Sequence, residues 1–243
     1  MMNQGALHGL RVIDLTDDSG RFATKLLTEL GASVVRISAT GSSGAPMVDA
    51  AAAELGGVLD WWYDGGKHRH IVDLDTDGGR SRYRSFCASA DLVVETERPG
   101  RLEVLGIDHA DLLATNPALC QVSITPFGRT GPRSDWVTSD LVSSAMGGFM
   151  SITGLPDRPL NLWGRQSYNY AGFAAVISAL AAVRATRLDG KGRHVDLSIH
   201  EAITGSIENI FMQYFFDQEL PDMSKVAQRQ GAMHWLRAYD LAA

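Results

Sequence analysis

DLVVETERPGRLEVLGIDHADLLATNPALCQVSITPFGRTGP, residues 91–132, decides the fold. Residues 92–94 and 120–124 are short apolar runs rich in β-branched side chains, the pattern of strands buried on both faces. Each run ends in a break, ERPG at 97–100 and PFG at 126–128. In an open α/β sheet, ligands bind outside the carboxyl ends of the strands. Glycines at those ends let the backbone approach a ligand closely.

Working outward, residues 10–15 (LRVIDL) read as a first strand. Phe22, Leu26, Leu27 and Leu30 have helical spacing over 22–30, and Gly31 closes that helix. Residues 33–37 (SVVRI) form the next strand, so the unit is βαβ, parallel and right-handed. Strands are expected near 11–15, 33–37, 71–74, 92–95, 120–124 and 194–199. Helices are expected over 50–57, 80–88, 109–114, 142–152, 171–187 and 200–216, with loops at 40–45 and 156–159. His109 reads as a surface residue. The expected class is α/β, a Rossmann-like, mostly parallel sheet with helices on both faces.

The 243 residues are 45% hydrophobic and 21% charged, enough for a real core. A net charge of −6 excludes a general nucleic-acid footprint. A polyanionic ligand therefore needs a local basic patch. Cys87 and Cys120 lie in apolar runs and read as buried free thiols of a reducing, cytoplasmic protein. Cys and His have no metal-ligand spacing. The N-terminus lacks the marks of a signal peptide, and the longest apolar run, 171–183, is the length of a buried helix. No membrane partner is expected.

The same stretch resembles CoA-transferase family III, the group of formyl-CoA transferase and α-methylacyl-CoA racemase. That family reads V-E-N-F-R-P-G, L-G, N-P-x-L, then S-I-S-G-F-G-x-T-G-P. Val94, Glu95, Arg98, Pro99, Gly100, Leu105, Gly106, Asn116, Pro117, Leu119, Ser123, Ile124, Phe127, Gly128, Thr130, Gly131 and Pro132 match. Asp14, Leu15, Thr16, Gly20, Leu30, Gly31, Ala32 and Val35 match the family's first βαβ unit, whereas Arg21 and Ser38 replace its proline and glutamate. Residues 223–234 are similar to the family's R-x-G-N-x-H turn.

The resemblance implies coenzyme A as substrate or ligand, an acyl-CoA and a carboxylic acid as partners, and no metal. It also implies a homo- or hetero-oligomer with a related CoA-transferase subunit. The CoA-binding residues it points to are Arg36, Lys67, Arg69, Thr96, Arg98 and Gly128. Lys67, His68, Arg69 and His70 alone read as a solvated loop; with the resemblance they become a phosphate clamp. Residues 1–205 correspond to the N-terminal part of the large CoA-binding domain. Residues 206–243 correspond to a helix and the start of the crossing to a small domain, which is absent or only begun. An aromatic stripe of Ile210, Phe211, Tyr214 and Phe215 is expected to need another chain to cover it.

As the resemblance implies, the family's nucleophile is an aspartate shortly before the glycine that opens the alanine-rich helix, here Gly172. No Asp or Glu lies between Asp157 and Asp189. The catalytic position falls at Tyr168 or Asn169, and neither supplies a carboxylate. Ser139 replaces the histidine that the racemase branch uses, so proton exchange lacks its partners too. Three readings follow. The chain is the non-nucleophilic subunit of a CoA-transferase complex, or an acyl-CoA-binding protein without catalysis. The third is an acyl-CoA lyase, hydratase or racemase-like enzyme of changed chemistry.

Overall fold

The computed structural model describes residues 5–38, 56–155 and 158–217. Six strands form one sheet: β1 (Arg11–Leu15), β2 (Ser33–Ser38), β3 (His68–Ile71), β4 (Leu92–Glu95), β5 (Cys120–Thr125) and β8 (His194–Ser198). Their order is β3-β2-β1-β4-β5-β8, and every pair is parallel. This is the doubly wound order, in which the sequence of strands across the sheet reverses between β1 and β4. The crevice outside that pair is where the fold places a ligand.

Alternation along the strands fixes the two faces. Val12, Leu92 and Val94 point into one core, where they meet α1 (Arg21–Glu29), α7 (Gln166–Asp189) and α8 (Ile199–Gly205). Ile13, Leu15 and Val93 point into the other, under α3 (Asp77–Cys87), α4 (Arg101–Val104) and α5 (His109–Leu113). Helices therefore cover both faces, as expected. α7 is the one described helix long and apolar enough to cross a membrane; here it is the core helix, with Ala171, Ala175 and Ala179 against the sheet. Gly172 allows its close approach to α1, since a Cβ there would stand 2.9 Å from Phe22 and 3.1 Å from the Ala23 amide. Both cysteines are free and buried, and burial pushes the Cys87 thiol up to about 12.

Several expectations are corrected. The third strand is His68–Ile71, not 71–74. It is an edge strand paired only with β2, so the polar HRHI run is tolerated there. Val72 and Leu74 are apolar because they enter the core just beyond it. The expected loop at 156–159 contains β7 (Arg158–Pro159), antiparallel to β6 (Gly154–Leu155). The helix expected over 142–152 is α6 (Asp140–Met146), stopped at Gly147 and Gly148, the latter with φ 99°. Ile203 and Ile207 pack on those glycines, where Cβ atoms would come within 2.5 and 2.4 Å of them. The helix expected over 200–216 breaks at Ser206 into α8 and α9 (Glu208–Asp217). His109 is buried, its ring nitrogen 2.9 Å from the Leu119 carbonyl oxygen. The segment 50–57 lies almost wholly outside the described residues, and Gly56 opens α2 (Gly56–Asp64). The loop at 40–45 and the turn at 223–234 lie outside them entirely.

Candidate functional site

The carboxyl ends of the strands open into two adjoining cavities. One, of about 290 Å³, lies beyond β4 and β5 and includes Trp136 and Tyr168; the other, of about 330 Å³, lies beyond β1, β2 and β4 and includes Arg36 and Arg101. Asp17, Thr96, Glu97 and Arg98 line both and form the ridge between them. The ridge is tied across the switch point, because the Asp17 amide donates to Thr96 Oγ1 at 2.7 Å. Gly20 permits that closeness: a Cβ there would stand 2.7 Å from the Thr96 methyl.

Arg36, Thr96 and Arg98, three of the residues singled out from sequence, meet at this cleft. Arg98 has no ion pair and no side-chain hydrogen bond among the described residues, which leaves its charge available to an anion. Arg101, by contrast, is engaged by Glu97 at 3.0 Å and Asp75 at 3.2 Å. Gly128, at φ 85°, sits in the loop after β5 but does not line either cavity. Arg69 is half exposed and bonds Asp64 at 3.1 Å, away from both.

Lys67 lies beneath the cleft with its side chain sealed from solvent. Its ammonium donates to Asp14 at 2.8 Å, Thr24 at 2.8 Å and Asp64 at 3.1 Å. Arg36 joins this network through Asp14 at 3.1 Å and Asp64 at 3.2 Å. Burial alone raises the Asp14 carboxyl, but the charges of Lys67 and Arg36 and the bonds from Lys67 and Thr16 overcome it and hold it at about 2. Asp64 behaves alike: burial raises it, while Arg36, Lys67 and Arg21 pull it below the carboxylate range. The network continues from Asp64 to Arg21 at 2.7 Å, from Arg21 to Asp18 at 3.2 Å, and from Asp18 to Arg165 at 2.8 Å. Arg165 is the one described non-glycine residue in the left-handed region, φ 58° and ψ 47°, and it caps α7.

That cap opens residues 165–169, the window where the resemblance places the family's nucleophile. Ser167 is buried; its hydroxyl donates to the Asp140 carbonyl oxygen at 3.1 Å, and its amide donates to the Asp140 carboxylate at 3.1 Å. Asn169 donates its amide to the Gly164 carbonyl oxygen at 3.1 Å. Tyr168 alone of the three lines a cavity, and burial, helped by the carboxylates of Asp17 and Asp140, raises its phenol well above the usual range. It is therefore a neutral phenol, and its hydroxyl makes no hydrogen bond to Asp17, Asp140 or any other group among the described residues. Ser139 serves as the cap of α6, its hydroxyl accepting from the Val142 amide at 3.3 Å.

Sequence reasoning did not single out Asp17, Glu97, Arg101 or Trp136 as site residues. Asp17 and Glu97 had a signal, since each lies two residues beyond the end of a strand that was expected. Trp136 had none, because only the chain's return after Pro132 brings it to the cleft. Under the ridge, Glu95 is fully buried and its carboxylate accepts from the Glu97 amide at 2.6 Å. Burial pushes it up to about 7, against weaker opposing pulls from Ser123, the Glu97 amide and Arg129.

Sheet order and cleft define a Rossmann-like α/β domain with a candidate ligand site at the switch point. The chain belongs to CoA-transferase family III, whose family model matches residues 7–242. It is 38% identical over 205 residues to the succinyl-CoA:(R)-benzylsuccinate CoA-transferase subunit BbsE of Thauera aromatica, covering 82% of this chain and 50% of that one. It is 32% identical over 212 residues to the succinyl-CoA–D-citramalate CoA-transferase of Chloroflexus aurantiacus, covering 86% and 52%. Among solved structures, a CAIB/BAIF family protein from Brucella suis is similar at 30% identity and TM-score 0.79, covering 90% of this chain and 60% of that one. The chain spans about half the length of the curated relatives it matches.

Proposed function

We propose that this chain is the non-nucleophilic subunit of a complex moving CoA between an acyl-CoA and a carboxylic acid, with a related chain supplying the aspartate. One observation carries the reading: the α7 cap and cleft are intact, yet no Asp or Glu lies between Asp157 and Asp189. CoA transfer by covalent catalysis passes through an acyl anhydride and then a thioester on the nucleophile, and both need a carboxylate. Tyr168 is held as a neutral phenol and Asn169 is tied to its own loop, so neither takes that part. The Thauera aromatica relative is named as a CoA-transferase subunit, which supports a role as one part of an assembly.

Within the reading, Arg98 lines both cavities and meets whichever anionic group occupies the cleft, the anionic part of CoA or the carboxylate of the acid, while Arg36 and Thr96 shape the second cavity. Lys67 acts from below, holding Asp14 and through it Arg36. Gly128 borders the site by its loop, and Arg69 anchors the outer end of the same network. Residues 206–243 begin the crossing to a second domain. The test is a CoA titration of the chain alone, then a transfer assay with and without a family chain that carries the aspartate. Binding alone, with turnover only in the mixture, is the expected result. Turnover by the chain alone overturns the reading.

A further inference from the structure

The smaller cavity differs from its neighbour in the chemistry of its walls. Trp136 and Tyr168 stand on its sides, with Ile124 and Ile199, both almost fully buried, beside them. The half-exposed Trp136 ring is contacted from two directions. Phe127 meets it edge-on at 5.8 Å, and the Arg133 guanidinium lies 5.3 Å from its centroid. Flat aromatic side chains in a cavity wall favour a flat apolar guest, stacked or edge-on. A volume of about 290 Å³ has room for a phenyl ring on a short chain.

Charge narrows the guest further. Arg98 is the sole cation among the lining residues, and its side chain has no ion pair or hydrogen bond among the described residues. Three carboxylates share the cavity: Glu97, already bound by Arg101 at 3.0 Å, Asp17, whose Oδ1 is taken by the Ser19 amide at 2.8 Å, and Asp135. One anionic group on the guest finds a partner in Arg98. A second meets carboxylates and is disfavoured. We infer that this cavity takes an aryl-bearing carboxylic acid with a single free carboxylate, the ring against Trp136 and the carboxylate on Arg98. The inference rests on the reading of the cleft as an acyl-CoA and acid site, and adds the class of acid.

Calorimetric titration of the full chain with 3-phenylpropanoate, propanoate, succinate and neutral 3-phenylpropan-1-ol tests it. 3-Phenylpropanoate should bind at least tenfold tighter than propanoate or succinate, about 1.4 kcal/mol. Trp136→Ala should abolish that margin with an unchanged melting temperature, and Arg98→Gln should lower the acid to the level of the alcohol. Trp136→Leu serves should the alanine variant melt early. Succinate binding as well as 3-phenylpropanoate, or a phenyl preference that survives loss of Trp136, overturns the inference. CoA titrated separately tells the two claims apart. CoA affinity without phenyl preference sinks the acid class alone, whereas phenyl preference without CoA affinity sinks the transferase reading and leaves the cavity assignment standing.

Discussion

The ammonium of Lys67 lies 2.8 Å from the Asp14 carboxylate, and neither side chain reaches solvent. A cation at the head of a basic run, which alone reads as a solvated loop and which the resemblance makes a phosphate clamp, is thus held inside the protein. Its geometry joins β1, α1, α2 and the turn that leads into β3 under the cleft, through Asp14, Thr24, Asp64 and Lys67 itself.

Lys67→Met should therefore act on stability. Removing one partner of a buried ion pair strands the other charge and costs about 3–5 kcal/mol. Denaturant unfolding should show that loss. Arg98→Ala should do the opposite, lowering CoA affinity about tenfold or more for a lost charge-assisted contact while leaving the melting temperature unchanged. Equal melting temperatures for wild type and Lys67→Met would remove the network from its structural role.

The acid limb of stability should carry the Asp14 signature. Its folded carboxyl is held at about 2 against an ordinary 3.8, so it contributes stability above pH 3.8 that is lost as pH falls toward 2. Unfolding midpoints measured between pH 2 and 5 should fall steeply in wild type. In Asp14→Asn the slope should be shallower and the whole curve lower.

Glu95 works with the opposite sign. Its folded carboxyl keeps a proton up to about 7, while the unfolded one loses it near 4.5. Between those values the folded state binds more protons, so stability falls as pH rises, by on the order of 3 kcal/mol. Glu95→Gln should flatten that decline and leave the variant more stable than wild type at pH 8. A variant curve parallel to wild type from pH 4.5 to 8 would assign the decline to another group.

Gly172→Val should loosen α7 from α1. The added Cβ would stand 2.9 Å from Phe22 and 3.1 Å from the Ala23 backbone, and overpacking of that kind costs about 1–3 kcal/mol. Thermal melting at fixed pH reads the loss.

Much of this fold was legible because the period of the strands is local. Residues 92–94 and 120–124 announce buried parallel strands, and both lie where expected. β3 was misplaced because an edge strand needs no apolar run, while Val72 and Leu74 are apolar for a core contact beyond it. The break after Gly205 was invisible, since Ile203 and Ile207 take their positions from Gly147 and Gly148, far away in the chain. At the site, Arg98 could be read from its motif at a strand end. The inward turn of Lys67 could not, because the acids that hold it, Asp14 and Asp64, come from separate elements. The absent carboxylate was plain in the sequence; only the fold reveals that Tyr168 faces the cavity while Ser167 and Asn169 are bound elsewhere.

The central claim is that α7's cap offers no nucleophile. Intact-mass and peptide mass spectrometry of the chain after incubation with an acyl-CoA tests it most directly. The account predicts no acyl or CoA adduct on residues 160–172 or on any residue lining the cleft. An adduct on Tyr168 or Ser167 would contradict it and make this chain an enzyme with a substituted nucleophile.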